Sequence, residues 1–285
     1  MNILIAINKG YIRPAMTMLR SLAETNESQI NVYILHYELE DGDIKKIEKS
    51  VADFSVKIFA IKIEKKVFEH YTIPKQFSME IFIRLIAYKI LPTDINKILW
   101  LDSDMIILND ISDLYNKTFE GKMMLVCRDI GCNEKEIMEK RQKRLDNPNM
   151  EEYFNSGMLL MNLEKMREKF HLEEVFEVLN KQAEELMYPD QDILNKILWN
   201  DVTYVDADKY NKQVFSYEDY NIEQLKNDTK ILHYVGKIKP WNFRYEGNAK
   251  TFYFDILKKI DIIFYFLIVI KKSVFKIKWK LKKGK

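Results

Sequence analysis

The sequence predicts an α/β fold whose central, mostly parallel sheet is flanked by helices, and three observations lead there. Short apolar runs alternate with amphipathic segments from the first residues to Leu101, the pattern of parallel strands joined by helical crossovers. The 285 residues are 47% hydrophobic and 31% charged, proportions that fit a globular chain and exclude a disordered one. Only 8 Gly and 6 Pro occur, which leaves little linker material, so one compact domain is expected over residues 1–250.

The elements follow in order. Residues 2–7 are apolar, too short for a signal-peptide core and without a basic lead-in, and read as a buried first strand. Residues 16–22 carry a helical period, 31–35 form a second strand, and 41–51 a helix opened by acids. A third strand spans 56–61, and a helix over 81–91 is stopped by Pro92. Residues 98–101 are a fourth strand that runs straight into Asp102. Ligands of such sheets bind beyond the carboxyl ends of the strands, which puts Asn8, Asp102 and Asp104 on one rim. The second half is less regular: a strand at 157–163, helices at 172–186 and 192–198, and a short strand at 231–234. Residues 133–152 mix acids and bases without an apolar period and read as a surface excursion.

The net charge of +2 hides a split. Residues 271–285 hold eight lysines and no acid, so the rest has 37 bases against 43 acids. An acidic body excludes a nucleic-acid face. Cys127 and Cys132 have neither disulfide-framework nor zinc-site spacing, and read as reduced thiols of a cytoplasmic protein.

Four patches carry candidate chemistry. In Trp100-Leu101-Asp102-Ser103-Asp104 an apolar strand delivers two carboxylates one residue apart. Residues i and i+2 at a strand end point the same way, so both acids can face one hard cation and leave positions for diphosphate oxygens. A pair of solvated loop acids is the plain alternative. His233 stands at the end of a strand, before a loop with Gly236, Lys237 and Lys239. Imidazole can complete a mixed oxygen and nitrogen set suited to Mn²⁺. Gly236 permits close backbone approach to a phosphate, and Lys239 supplies a point charge. A structural His beside a basic loop is the alternative. Asn155 and Ser156 precede Gly157 at the start of a buried run. Asp190-Gln191-Asp192 follows Pro189 and reads first as a helix N-terminus, although three consecutive polar groups exceed what a cap needs.

In this order the chain resembles glycosyltransferase family 8, the bacterial lipopolysaccharide galactosyl- and glucosyltransferases related to glycogenin. The resemblance covers residues 1–245 and rests on Ala6 to Tyr11, Arg84, Asp102-Ser103-Asp104, Asn155-Ser156-Gly157, Asp190-Gln191-Asp192, and His233 to Trp241. It implies a GT-A type nucleotide-sugar-binding fold, a cation (Mn²⁺ or Mg²⁺) and a UDP-hexose donor. By similarity, Asp102, Asp104 and His233 hold the ion, and Gly236 and Lys239 hold the diphosphate. Ala6, Asn8 and Tyr11 line the uridine pocket, with Tyr11 as a stacking residue. Arg84, Ser103, Asn155, Ser156, Asp190 and Gln191 belong to the donor site, with Asp190 and Gln191 nearest the chemistry. The family usually has Asp where this chain has Asn8, and an amide can still donate and accept hydrogen bonds to uracil.

The implied activity is retaining transfer of galactose or glucose from a UDP-sugar to a glycan or lipid-linked acceptor, in lipopolysaccharide or cell-surface glycan synthesis. Same-face attack with Asp190 orienting sugar hydroxyls is favoured over a covalent intermediate, since Gln191 is a poor nucleophile. A sugar-1-phosphate nucleotidyltransferase is the rival enzyme, but it calls for a Gly-rich basic loop where this chain has Asn8-Lys9-Gly10-Tyr11. A tethered, non-catalytic nucleotide-sugar-binding module is the rival outside enzymes.

Residues 260–285 form a separate tail. Residues 262–270 are strongly apolar, but nine residues fall short of the roughly 20 that span a bilayer. The lysines that follow alternate with Val274, Phe275, Ile277, Trp279 and Leu281. Apolar anchors beside a basic face predict attachment to an anionic membrane surface, which places the protein on the cytoplasmic face as a peripheral protein. A terminal helix packed on the body is the alternative.

Overall fold

The computed structural model describes residues 1–64, 82–132 and 134–283, with the backbone alone for residue 276 and residues 278–283. Ile81, with which the third predicted helix begins, lies outside the described residues, as do Asn133 and the last two residues of the tail.

The chain opens with β1 (Asn2–Ala6), a 3₁₀ turn (Lys9–Tyr11) and α1 (Ile12–Thr25), then β2 (Ile30–His36), α2 (Asp41–Ser50) and β3 (Val56–Lys62). There follow α3 (Ile83–Ile90), β4 (Lys97–Leu101), β5 (Met105–Ile107), α4 (Ser112–Tyr115), β6 (Met124–Arg128) and α5 (Lys135–Arg144). The second half runs β7 (Phe154–Asn162), α6 (Leu163–Lys169), α7 (Leu172–Gln182), α8 (Pro189–Leu198), β8 (Val202–Val205), α9 (Ala207–Tyr210), β9 (Lys212–Val214) and α10 (Ile222–Asp228). It ends with β10 (Ile231–Tyr234), α11 (Lys250–Ile260) and α12 (Ile262–Lys283).

Seven strands form the main sheet in the order β3-β2-β1-β4-β7-β6-β8. Only β7 runs against its neighbours; the other pairings are parallel. Alternation along each strand divides the core between two faces. Leu4, Ile98, Trp100, Leu159 and Met161 face one layer with α3, α6, α7 and α8. Ile3, Ile5, Leu99, Leu101, Met158 and Leu160 face the other with α1 and α2. Local chemistry sets the helix ends: Glu40 and Asp43 close a capping box on α2, and Pro189 occupies the first turn of α8.

Three features of the second half refine the sequence reading near the site. The strand predicted from 157 begins at Phe154, so Asn155 and Ser156 lie inside it. The 231–234 strand belongs to a second, three-stranded sheet of order β5-β10-β9. Residues 134–152 lie at the surface as expected but are not irregular, because they contain α5 and bury Met138, Leu145 and Met150. The helix lacks an apolar period because charge pairing holds it: Arg141 binds Asp129 at 2.6 Å, and Arg144 pairs with buried Asp192.

A third cluster joins β10 to α11 and α12 through Tyr234, Tyr245, Tyr253, Leu257 and Ile268. Helix α12 sets Phe264, Tyr265 and Ile268 against the body, with Arg13 over the Phe264 ring at 4.1 Å. Its opposite face leaves Ile263, Phe266, Leu267, Ile270, Val274 and Ile277 exposed. Among the described residues no helix is long and apolar enough to cross a membrane.

Candidate active site

Three distant segments meet at the carboxyl end of β4. The reversal of β7 brings its first residues to that end, where Asp102 N–H donates to Gly157 O at 2.9 Å. The chain then turns into β5, and β10 pairs antiparallel with it, His233 opposite Met105. Tyr234 N–H donates to Asp104 O at 3.0 Å. The small sheet thereby sets a ring nitrogen beside the two carboxylates.

Asp102 Oδ1 accepts from Trp100 Nε1 at 2.9 Å and from an Arg84 terminal nitrogen at 3.0 Å. Arg84, on α3, also holds Asp190 Oδ2 through Nε at 2.9 Å, donates to Ser156 O at 2.6 Å, and lies 4.5 Å over the Trp100 ring. Its guanidinium is thus a buried staple between two acids from β4 and α8. Burial raises the Asp190 carboxyl above the usual range, Arg84 opposing and Asp102 adding to the rise.

On the other side, Lys239 Nζ lies 2.5 Å from Asp104 Oδ2 and donates to Tyr234 O at 2.5 Å. His233 Nε2 stands 3.3 Å from Asp104 Oδ1. Burial works to raise the Asp104 carboxyl, but its contacts with His233 and Lys239 outweigh it and hold the group well below the usual range.

The ligand atoms of Asp102, Asp104 and His233 lie within 4.8 Å of one another. Two observations fit this set to a cation. Asp104 Oδ1 is buried and makes no hydrogen bond among the described residues, an open acceptor that is costly without a partner. Gly157 clears the ring of His233: a Cβ there would stand 2.5 Å from His233 Cε1 and 2.9 Å from Met105 Cε. Two carboxylates and an imidazole form a donor set of the kind Mn²⁺ accepts.

The remaining predicted residues divide between the rim and the scaffold. Ala6 ends β1, and Asn8 caps the following turn by accepting from Gly10 N–H at 2.9 Å. Tyr11 is exposed and meets Trp241 edge to face at 5.9 Å. Although part of the ring is exposed, partial desolvation raises its hydroxyl pKa, with the charges of Asp104 and Asp102 adding. Gly236 adopts φ of 81°, a left-handed conformation that favours glycine. The Ser103 hydroxyl is buried without a hydrogen bond among the described residues. Gln191 and Asn195, one turn apart on α8, accept the N–H groups of Ser156 (2.9 Å) and Phe154 (2.8 Å), so α8 is laced to the reversed strand.

Within Asp190-Gln191-Asp192 the two acids have different tasks. Fully buried Asp192 accepts from Met187 N at 2.8 Å, Tyr188 N at 3.0 Å and the Tyr153 hydroxyl at 2.6 Å, and pairs with Arg144. Helix-end satisfaction thus falls to Asp192, and Asp190 faces Arg84 and Ser156 Oγ (3.3 Å). The sequence reading missed Asp129 and Asn211. Asn211 Oδ1 lies 2.9 Å from His233 Nδ1, its nitrogen donates to Asn155 Oδ1 at 3.0 Å, and Asn155 donates to Asp129 at 3.1 Å. No sequence motif marks either residue, since both are recruited by tertiary contact. Cys127 and Cys132 are free thiols away from the metal-ligating set.

A cavity of about 690 Å³ between α1, α2 and α11 lies off this site, and its Arg13, Arg20 and Lys259 are already paired with Asp261 and Glu24. A cavity of about 540 Å³ adjoins the His233 network and is lined by Arg128, Asp129, Asp206, Asn211, Lys212 and Gln213, among others.

Known proteins resemble this chain in sequence and fold. The glycosyl transferase family 8 model matches residues 2–244. A lipopolysaccharide 1,2-glucosyltransferase of Escherichia coli K12 is 24% identical over 254 residues, 85% of this chain and 73% of that protein. General stress protein A of Bacillus subtilis 168 is 25% identical over 273 residues, covering 90% of this chain and 93% of its own. Among solved structures, galactosyltransferase LgtC in complex with donor and acceptor sugar analogs superposes with a TM-score of 0.74 at 18% identity, covering 92% of this chain and 96% of that one. GlyE of Streptococcus pneumoniae TIGR4 gives 0.68 at 21% identity, covering 96% and 64%. The fold is therefore of the GT-A type found in these glycosyltransferases. With the model matched along nearly the whole body, the chain belongs to glycosyl transferase family 8 and is a sugar-transferring enzyme.

Proposed function

We propose that the chain is a cation-dependent, retaining hexosyltransferase that moves galactose or glucose from a UDP-sugar to a glycan or lipid-linked acceptor. The observation that carries this reading is the meeting of Asp102, Asp104 and His233 beside Lys239, with Arg84 and Asp190 on the adjoining wall. Asp102, Asp104 and His233 would hold Mn²⁺ or Mg²⁺, which when bound supplies Lewis-acid neutralisation of the departing diphosphate. Lys239 and the Gly236 backbone bind the same diphosphate, and Ala6, Asn8 and Tyr11 bind uridine at the end of β1. Arg84 fixes Asp190 so that its carboxylate orients sugar hydroxyls. The Gln191 carbonyl oxygen accepts the Ser156 N–H and serves as scaffold, not as nucleophile, which supports same-face attack guided by the leaving phosphate. The cavity of about 540 Å³ beside Asp129 and Asn211 offers polar groups to an acceptor glycan.

The tail belongs to this reading. The exposed apolar face of α12 and the lysines of residues 271–285 suit an anionic bilayer, so the enzyme works as a peripheral protein on the cytoplasmic face, near lipid-linked acceptors. The test is UDP release from a panel of UDP-sugars with Mn²⁺, with Mg²⁺ and in excess chelator, followed by the anomeric configuration of the product by NMR. Cation-dependent release from UDP-galactose or UDP-glucose with retained configuration is expected. Full turnover in chelator, or an inverted product, overturns the reading.

A further inference from the structure

The site contains a run of side-chain amides whose orientation can be deduced from one end. Asn155 Oδ1 accepts the backbone N–H of Gly157 at 3.0 Å. A backbone N–H only donates, so the Asn155 atom facing it is the carbonyl oxygen. The same oxygen faces Asn211 at 3.0 Å, so Asn211 must present its NH₂ there. Its carbonyl oxygen is then turned toward His233 Nδ1, 2.9 Å away, and that ring nitrogen must carry a hydrogen. The fixed backbone donor thus places a hydrogen on Nδ1, and Nε2 is directed at Asp104.

We propose that Asn211 is the positioning residue of the His233 imidazole, holding it in the Nδ1–H form so that the Nε2 lone pair serves the cation site. Free imidazole side chains in water favour the opposite tautomer, with the hydrogen on Nε2, so the fold must enforce this one. Asn211 is only 1% exposed, so the amide itself, not bulk water, is the group set against the ring. On the far side, Asn155 Nδ2 donates to Asp129, itself fixed by Arg141 of α5, so the amide run is clamped at both ends. Gly157 contributes twice, through its N–H and through the space it leaves for the ring. Groups that orient a metal-binding histidine typically change affinity 10–100-fold when lost.

The metal arm of the test rests on the reading of Asp102, Asp104 and His233 as a cation site; the tautomer arm does not. Protein labelled with ¹⁵N-histidine and free of metal is examined by long-range ¹H–¹⁵N correlation, with His233→Asn to assign its signal among the four histidines. Wild type is expected to show protonated Nδ1. Asn211→Leu removes the acceptor and is expected to shift the ring to Nε2–H and to weaken Mn²⁺ binding 10–100-fold, followed by EPR of free Mn²⁺ in the presence of UDP. Asn211→Asp keeps the acceptor facing Nδ1 while losing the NH₂ that faces Asn155 Oδ1, and is expected to retain Nδ1–H. Wild-type His233 in the Nε2–H form, or folded Asn211→Leu with Nδ1–H and unchanged affinity, overturns the proposal. Should Asn211→Leu fail to fold, Asn211→Asp decides, and loss of the Nδ1 proton there is equally fatal. Loss of the tautomer effect defeats the Asn211 assignment. An unchanged tautomer pattern without Mn²⁺ binding in wild type defeats only the cation reading.

Discussion

Asp190 and Asp192 lie two residues apart at the start of α8, yet replacing each by Asn is expected to give opposite phenotypes. Asp192→Asn takes a charge from a carboxylate with no exposure that serves two backbone N–H groups, the Tyr153 hydroxyl and Arg144. Breaking a buried pair costs about 3–5 kcal/mol. At about 2–4 °C per kcal/mol for a chain approaching this size, the melting temperature should fall by roughly 10 °C. Asp190 behaves differently because the fold raises its pKa, first through burial. The sign follows from linkage: a carboxyl raised in the folded state contributes stability below its unfolded value, and this is lost as pH rises through the folded value. At neutral pH an ionised Asp190 therefore costs stability, and Asn cannot incur that cost. Arg84 loses one partner but keeps Asp102 and Ser156 O, so the net change in stability should be within about 1 kcal/mol. Turnover should fall about 10²–10³-fold, or about 2.7–4 kcal/mol, as when a group aimed at the transition state is lost, with UDP affinity nearly unchanged. Thermal unfolding and UDP-release kinetics at saturating donor measure both quantities. If Asp190→Asn melts as early as Asp192→Asn while its folded fraction turns over normally, Asp190 is a helix-end residue and the assignment is wrong.

Further expectations concern the cation set, its glycine and the tail. Asp102→Asn and Asp104→Asn should each reduce transfer by several kcal/mol of transition-state stabilisation while remaining folded; full activity of either variant, measured as UDP release, removes the cation assignment. Gly157→Ala should cost about 1–3 kcal/mol in thermal unfolding, because its Cβ would overlap His233, and should weaken Mn²⁺ retention by EPR; a variant with unchanged Mn²⁺ affinity refutes the close-packing role. Deleting residues 260–285 would strip Phe264 and Ile268 from the body as well, so Ile263, Phe266 and Ile270 changed together to Ser form the cleaner membrane test. That variant should stop sedimenting with anionic vesicles, and wild type should sediment less at high salt; equal sedimentation of both forms leaves a helix that merely packs on the body.

The first half of the fold was legible because periodicity reports burial. Strands 2–7, 31–35, 56–61 and 98–101 were all expected within a residue or two of their observed ends. The second half was harder because its order depends on polar contacts. Helix α5 shows no apolar stripe, since Arg141 and Arg144 on its inner side satisfy Asp129 and Asp192. The strand direction of β7 has no local signature either, although it decides that Asn155, Ser156 and Gly157 reach the rim. Asp102, Asp104 and His233 could be read from motif types, whereas Asn211 is a lone amide before a three-residue strand and becomes significant only through its partners.

The charge arrangement balances this acidic site internally. Asp102 and Asp190 share the Arg84 guanidinium, and Asp104 is balanced by Lys239. Each carboxylate therefore already has a cationic partner, and a cation arriving at Asp104 competes with Lys239 instead of filling an uncompensated charge. Under the proposed reading this competition has a direction. A free cation gains only part of what Asp104 already has in Lys239, whereas a cation arriving with a diphosphate offers Lys239 a new anion at the same moment. Cation and nucleotide should consequently bind with positive coupling, reciprocal by linkage and typically 1–3 kcal/mol. Lys239→Ala should reduce that coupling while raising the affinity of Mn²⁺ alone, because Asp104 then lacks its internal partner. Titrating Mn²⁺ with and without UDP in both proteins measures it, and a coupling of equal size in Lys239→Ala would mean that the lysine is a bystander to the exchange.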